Sequence, residues 1–276
     1  MFDKLEMRSE EILNLKELEK VLPHKTAMMG SSSYKRALYV LNSSNEVLFI
    51  IHSDPIWSNM APTKISTNPK RWSSFNDFRA ALAKFCNPDL LEITRIDHAV
   101  DIEISIEKLY QCTRIKNKTQ YSYYKEHCSV RGTYLTGFYL GVEPEIYCIY
   151  DKGYQKSLRN KKLVRNKDCE IGLLSRIELR QRKHKVKYKH LNELINYLTD
   201  TPFTNIEFYE AKDNSKKAEA LQLLMNEDGL QRAVAQLSRH NNFSRNNKKN
   251  LTPTNLESTV RDAYEENLRR FFEVSQ

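Results

Sequence analysis

The sequence predicts an α+β fold: an antiparallel sheet with flanking helices, followed by a C-terminal helical segment. Residues 91–106 alternate between apolar and polar side chains, as half-buried strands do. Residues 191–276 carry apolar positions at helical spacing instead. Glycine and proline together supply only 15 of 276 residues, which favours long regular elements. We therefore expect an α+β domain over residues 1–190 and a helical segment over residues 191–276.

The elements before residue 90 follow from local patterns. Residues 10–21 place apolar side chains at helical spacing and stop near a proline, which predicts a helix. The apolar runs 34–41 and 47–52 flank Asn-Ser-Ser-Asn and predict a β-hairpin. A Ser-Phe-Asn-Asp start predicts a helix over residues 74–85.

A long strand is predicted over residues 91–106. The residues on its apolar face are Ile96, His98, Val100, Ile102 and Ile104. Further strands are expected at about 134–140, 146–152 and 174–182, on the same evidence of alternation.

Helical spacing returns in the last third of the chain. It predicts helices over residues 190–198, 215–239 and 253–274, with a polar, basic linker at 241–250.

Positive charge is concentrated in one segment. The chain has 44 Lys and Arg against 35 Asp and Glu, a net charge of +9. Residues 152–189 contain 14 basic and three acidic residues, so the rest of the chain is close to neutral. A solvated surface explains many such runs, but this degree of clustering is typical of nucleic-acid binding. The candidate DNA-binding residues are Lys156, Arg159, Lys161, Lys162, Arg165, Arg180, Arg182 and Lys183.

Cysteine usage and the N-terminus predict a compartment. The five cysteines are widely spaced and include no C-x-x-C pair, so neither a disulfide framework nor a zinc ribbon is indicated. The charged N-terminus does not resemble a signal peptide, and no apolar run reaches the roughly 18 residues that a membrane span needs. We expect a cytoplasmic protein with no membrane partner.

Three carboxylates are candidate ligands of Mg²⁺ or Mn²⁺, the hard cations that oxygen ligands select. Asp97 and Asp101 lie on one face of the predicted strand, roughly 13 Å apart along an extended chain. Glu178 lies on the polar face of another strand. The alternative is that these acids form ion pairs with arginines. The arginines available for such pairs are Arg95, Arg176 and Arg180.

Tyr150 is the candidate nucleophile. It ends a predicted strand and precedes Lys152, whose charge would stabilise a phenolate, although a strand tyrosine more often only packs. Tyr121, Tyr123 and Tyr124 form a competing cluster for nucleophilic attack or base stacking. His98 falls on the apolar strand face and is expected to be a core residue rather than a ligand.

Four strings in order resemble one family. They are TRIDHAVD (94–101), TGFYLG (136–141), IYDK (149–152) and SRIELR (175–180). Together they resemble the replication initiation factor family: the rolling-circle Rep proteins of plasmids and phages, with relatives among the transfer-origin nickases of integrative elements. The resemblance spans about residues 34–182, and NPKRWSSFNDFRAAL (68–82) fits the helix before the first motif.

The resemblance implies a DNA-nicking domain related to the HUH nickases. Tyr150 would be the nucleophile, and the product would be a 5′-phosphotyrosine with a free 3′-hydroxyl that primes replication. Asp97, Asp101 and Glu178 would hold Mg²⁺ or Mn²⁺, while Lys152 and Arg176 would contact the phosphate. The implied partner is origin DNA; a host helicase and a second copy of the chain are further candidates.

One segment departs from the family pattern. Ser or Arg commonly follows Leu-Gly in this family, and an arginine commonly precedes Ile-Tyr. This chain has Val142-Glu143-Pro144 and Tyr147-Cys148 there. The departure favours a non-catalytic protein that binds an origin or operator. A relaxase that acts at a transfer origin also fits the four strings, and the tyrosines at 121–124 would suit an RNA-binding protein.

Overall fold

Two units make up the fold. The structure is a computed structural model that describes residues 1–26, 31–116, 120–128, 132–159, 172–212, 216–238 and 250–272. The first unit contains residues 1–98, 180–200 and 265–276, and the second contains residues 99–179 and 201–264. The predicted boundary at residue 190 stays a prediction.

The first unit has six strands in the hydrogen-bonded order β2-β3-β4-β5-β1-β6. In chain order these are β1 (Phe2–Ser9), β2 (His24–Thr26), β3 (Tyr34–Leu41), β4 (Val47–Pro55), β5 (Thr63–Thr67) and β6 (Glu92–Ile102), the last of which continues into the second unit. Its α-helices are α1 (Leu15–Val21) and α2 (Phe75–Ala83). Short 3₁₀ helices cover Pro69–Arg71, Pro88–Leu90, Lys183–Lys185 and Leu191–Leu198.

Aromatic side chains fill the core of this unit because α2 presents a buried stripe. Ser74 caps α2 by accepting a hydrogen bond from the Asp77 N–H. The helix thereby places Phe78 against Phe49 of β4, with ring centroids 6.0 Å apart. Both rings are essentially excluded from solvent.

The second unit continues from β6 with the order β11-β10-β9-β8. These strands are β8 (Tyr121–Cys128), β9 (Gly132–Val142), β10 (Glu145–Asp151) and β11 (Ser175–Arg182), the last of which ends in the first unit. A small sheet has the order β13-β12-β7, from β7 (Thr113–Ile115), β12 (Ile206–Ala211) and β13 (Leu251–Pro253). The helices are α3 (Ile106–Cys112), α4 (Lys152–Arg159), α5 (Lys216–Ser238), the 3₁₀ helix Pro202–Asn205 and α6 (Leu256–Phe272), the last of which ends in the first unit.

The coarse prediction of an α+β fold with a large antiparallel sheet is confirmed. The hairpin is formed by β3 and β4, and the three later strands are β9, β10 and β11. The strand predicted over 91–106 is β6, but it ends at Ile102, and α3 begins at Ile106. The segment after residue 190 is more than helical, because β12 and β13 pair there. None of the helices in the described ranges is long and apolar enough to cross a bilayer.

Candidate active site

A tyrosine and a carboxylate meet on two neighbouring strands of the second unit. Tyr150 is the last residue but one of β10, and Glu178 lies in the middle of β11. The Tyr150 hydroxyl donates a hydrogen bond to Glu178 Oε2 over 3.1 Å. Glu178 is buried, whereas Tyr150 is half-buried. This contact joins a hydroxyl to a carboxylate, the arrangement in which a base can activate a nucleophile.

An ion pair lies beside this contact. Arg176 precedes Glu178 by two residues on β11, so strand alternation puts both side chains on one face. The Arg176 guanidinium donates from Nε and Nη2 to the two Asp101 carboxylate oxygens, over 2.5 and 2.7 Å. Arg176 is buried and Asp101 of β6 is exposed. Two contacts therefore lie side by side in the second unit: the pair Asp101–Arg176, and the hydrogen bond from Tyr150 to Glu178.

Asp151 fixes the end of β10, and the sequence did not single it out. Its side chain accepts hydrogen bonds from the Tyr154 N–H over 2.9 Å and from the Gly172 N–H over 2.7 Å. The first bond caps α4, the helix that begins at Lys152. The Lys152 N–H bonds to the Leu174 carbonyl over 2.9 Å. Tyr150 is thus held between a strand and a capped helix. The Asp that directly follows Tyr in IYDK is the sequence feature from which this cap could have been predicted.

Gly137 of the TGFYLG string permits the close approach of β9 to Tyr150. The two residues lie opposite each other in the β9–β10 pair. A Cβ atom added at Gly137 would lie 2.9 Å from the Ile149 carbonyl oxygen and 3.0 Å from the Tyr150 Cβ. Any larger residue must displace the backbone that carries Tyr150, because those neighbours are not flexible side-chain ends.

Asp97 takes part in an ion-pair network of the first unit. Its two carboxylate oxygens accept hydrogen bonds from Arg95 Nε and Nη2 over 2.7 and 2.6 Å. Arg95 Nη1 also lies 3.9 Å from Glu6, which pairs with Lys4 and Lys64 at 2.7 and 2.8 Å. Burial acts to raise the pKa of Glu6, but the bonds from the two lysines outweigh it and lower the pKa to about 2.

These arrangements bear on the predicted metal ligands. The pairs Asp97–Arg95 and Asp101–Arg176 are those of the ion-pairing alternative. Within the described ranges, no group of three or more His, Cys, Asp or Glu side chains is arranged to hold a metal ion. Asp97 and Asp101 each face an arginine, and this arrangement does not fit an oxygen-ligand site for Mg²⁺ or Mn²⁺.

His98 is a core residue, as expected. It is fully buried, its Nε2 lies 3.2 Å from the Gln181 side-chain oxygen, and its ring packs edge-on against Tyr197. Burial, reinforced by the positive N-terminus, lowers the pKa of His98 to about 3 despite the bond to Gln181. The imidazole is therefore neutral in the folded chain at physiological pH.

The predicted DNA-binding residues are only partly described. Lys156 on α4 and Lys183 after β11 are exposed, while Arg180 and Arg182 are half-buried. The side chain of Arg159 and all of Lys161, Lys162 and Arg165 lie outside the described residues.

The alternative candidates for nucleophile or base stacking lie on β8, the last strand in the hydrogen-bonded order of the sheet. They are Tyr121, Tyr123 and Tyr124. Tyr123 and Tyr124 are 41% and 50% exposed.

No protein-family model matches this chain, and no curated protein matches it significantly.

Proposed function

We propose that this chain is a rolling-circle replication initiator that nicks and rejoins DNA through Tyr150, on a core related to the HUH nickases. The observation that carries the proposal is the 3.1 Å hydrogen bond from the Tyr150 hydroxyl to the buried Glu178 carboxylate. The ordered motif strings, the adjacent basic segment and the ion pair beside this bond support it.

The reaction begins when Glu178 takes the Tyr150 hydroxyl proton. The phenolate oxygen then forms a bond to the scissile phosphorus, and the bond from phosphorus to the 3′-oxygen breaks. The leaving 3′-oxygen gains a proton from water and becomes a free 3′-hydroxyl, and the proton on Glu178 neutralises the hydroxide that remains. The 5′-phosphate stays on Tyr150 as a phosphodiester, so the bond energy is kept for later strand transfer.

Cations near Tyr150 would bind the phosphate. Lys152 begins α4 two residues after the nucleophile, and Arg176 lies on the strand that carries Glu178. For Arg176 this role requires that part of its guanidinium exchanges Asp101 for a phosphate oxygen. Exposed Lys156 and the basic residues up to Lys183 would bind the neighbouring backbone electrostatically.

The metal requirement stays a prediction, and so do the further partners. The proposed ligand is an origin of replication or transfer, reached in the cytoplasm. A host helicase and a second copy of the chain are the further proposed partners.

Covalent capture tests the proposal without knowledge of the origin. The full chain is incubated with single-stranded DNA that carries a randomised central region, with Mg²⁺, with Mn²⁺ or with EDTA. DNA that stays on the protein after denaturation is then sequenced. We expect a covalent adduct that Tyr150→Phe abolishes and that Tyr154→Phe, a matched change four residues away, leaves intact.

Two outcomes would overturn the nickase proposal. One is an adduct that persists in Tyr150→Phe, and the other is the lack of any adduct from a correctly folded wild-type chain that binds the same DNA. The EDTA arm decides the metal prediction separately, because loss of the adduct there with recovery in Mg²⁺ supports a metal requirement.

A second candidate is a non-catalytic protein that binds an origin or operator. The residues that stand where the family commonly has an arginine, Tyr147 and Cys148, are fully buried and offer no cation to a phosphate. This candidate predicts binding that weakens with salt, needs no metal and gives no covalent adduct in the same assay.

A further inference from the structure

The sheet face that carries Tyr150 extends to an exposed tyrosine on β8. Residues directly opposite each other on antiparallel strands point to the same face. Tyr124 lies opposite Gly137, and Gly137 lies opposite Tyr150. Tyr124 and Tyr150 therefore share a face of the second unit, roughly 10 Å apart across two strand spacings.

The environment of Tyr124 leaves its ring available for stacking. Its neighbour in the row, Gly137, puts no side chain between it and Tyr150. The Tyr124 ring packs edge-to-face against Tyr139, with centroids 5.1 Å apart and planes at 65°, which holds the ring in place. Half of the residue is nevertheless exposed.

We propose that Tyr124 is a stacking platform for an unpaired nucleobase of single-stranded DNA, adjacent to the phosphodiester that Tyr150 attacks. This inference rests on the proposed function. Stacked aromatic rings beside a cationic path for the backbone are the usual means of binding single strands. Here the ring is Tyr124, and the cations are Lys152 and Lys156 of the helix that follows Tyr150.

The surroundings of Tyr124 favour a nucleobase over a protein partner. Its neighbour on the same face of β8 is Ser122, which is exposed and polar. A protein interface core would instead surround an exposed ring with apolar side chains. A ring held by one aromatic contact, with a polar neighbour on its own strand, suits a flat ligand whose edges stay hydrated.

Tyr123 is a matched control that the chain itself provides. It adjoins Tyr124 on β8 and is similarly exposed, but strand alternation turns it to the other face. There it lies 6.1 Å from the Tyr110 ring, and Lys125 Nζ lies 5.5 Å from its centroid. Substituting either tyrosine removes the same side chain, but only Tyr124 shares the face of Tyr150.

Equilibrium binding in a Tyr150→Phe background measures stacking without cleavage. The probe is a fluorescein-labelled, mixed-sequence single-stranded DNA of about 20 nucleotides at fixed salt, long enough to span one binding site. We expect Tyr124→Leu to weaken binding about tenfold, while Tyr124→Phe and Tyr124→Trp keep it. Tyr123→Leu is expected to change it less than about twofold. Thermal unfolding of each variant verifies that the fold is kept.

A change in the DNA tests the same contact without altering the protein core. A single abasic site is moved along the probe. We expect an abasic site at one position to weaken binding to the Tyr150→Phe chain. That position should lie next to the nucleotide that becomes attached to Tyr150 in the capture experiments. In the Tyr150→Phe, Tyr124→Leu double variant, the same abasic site should have no effect. Such non-additivity reports a direct pair.

The platform is overturned if Tyr123→Leu weakens binding as much as Tyr124→Leu, or if Tyr124→Leu has no effect. It is also overturned if RNA of the same sequence binds through Tyr124 more tightly than DNA. These results are separate from failure of the proposed function. If no adduct forms but Tyr124→Leu weakens binding, the stacking platform stands and the nickase fails. If an adduct forms but Tyr124→Leu has no effect, only the nickase stands.

Discussion

Two clusters of carboxylates, one in each unit, differ in the group that each carboxylate contacts. In the first unit Glu6 is paired with two lysines, and Asp97 is paired with Arg95 through both oxygens. In the second unit Asp101 is paired with Arg176, but Glu178 accepts a hydrogen bond from a tyrosine hydroxyl. An acid opposite an arginine is held in an ion pair, whereas an acid opposite a hydroxyl is placed to accept a proton. This difference supports the role proposed for Glu178.

Replacing Glu178 should have the largest effect. Glu178→Gln keeps the size of the side chain and a hydrogen bond to Tyr150, but it removes the base. We expect the rate of adduct formation to fall about a thousandfold, within the usual contribution of a general base. Quenched time courses with captured DNA measure the rate. The matched variant Asp97→Asn should leave the rate nearly unchanged, and equal losses in the two would erase the difference between the clusters.

Replacing Asp97 should instead lower stability. Asp97→Asn leaves the largely buried Arg95 without its bidentate partner. We expect the free energy of unfolding to fall by about 3 kcal/mol, since breaking a buried pair leaves an uncompensated charge. Urea unfolding measures it. An unfolding free energy equal to that of the wild type would show that the network of the first unit is not structural.

Gly137→Ala should disturb Tyr150 without touching its hydrogen-bond partner. The added methyl group meets the backbone at Ile149 and the Cβ of Tyr150, so β10 must shift. We expect adduct formation to slow roughly tenfold to a hundredfold, because small displacements of a nucleophile are costly. The affinity of the Tyr150→Phe, Gly137→Ala double variant for single-stranded DNA should stay near that of Tyr150→Phe. Loss of binding and rate together would instead indicate general disruption.

The smallest effect is a pH dependence of the first unit. The pKa of His98 is about 3 in the folded chain and near 6.5 when unfolded. The unfolded chain therefore binds the extra proton below pH 6.5, and stability falls as the pH drops through that value towards 3. The slope is about 1.4 kcal/mol per pH unit at most. Urea unfolding between about pH 7 and 5, the range in which histidine titrates, measures it, and we expect His98→Gln to flatten the curve.

Two other groups shape the same pH curve. Burial also lowers the pKa of His52, so some pH dependence should remain in the His98→Gln chain. Measuring the slope in the His52→Gln variant gives the part that is due to His52. Glu6 loses its contribution only below pH 4.5, as protonation proceeds towards its pKa of about 2. A full slope in the His98→Gln chain would show that His98 is not buried in its neutral form.

The long strand β6 was predictable from alternation, whereas β1 was not. The pattern of 91–106 identified β6 because its apolar residues follow a period of two from Ile96 to Ile102, where the strand ends. The same rule fails for β1, where the pairing with β6 skips a residue between Phe2 and Lys4. This shift breaks the period of two at the start of β1.

The residues of the candidate site were named from the sequence, but the contact between Tyr150 and Glu178 was not. Tyr150 and Glu178 are 28 positions apart, and only the pairing of β10 with β11 brings them together. Alternation placed Asp97 and Asp101 alike, yet Asp97 pairs with Arg95 of its own strand and Asp101 pairs with Arg176 of β11. Asp151 and Gly137 carry no catalytic chemistry of their own, and their importance is visible only in backbone geometry.

The anchoring of Asp151 has a consequence for how such a chain can diversify. Its two carboxylate oxygens tie the start of α4 to Gly172, and the Lys152 N–H bonds to the Leu174 carbonyl close by. The polypeptide thus leaves β10 and returns to β11 through one fixed junction. Because lengthening the chain between two fixed ends costs little free energy, the sequence between α4 and Gly172 can vary in length without moving Tyr150. Under the proposed function, such changes would alter the DNA that is bound while the nucleophile keeps its place.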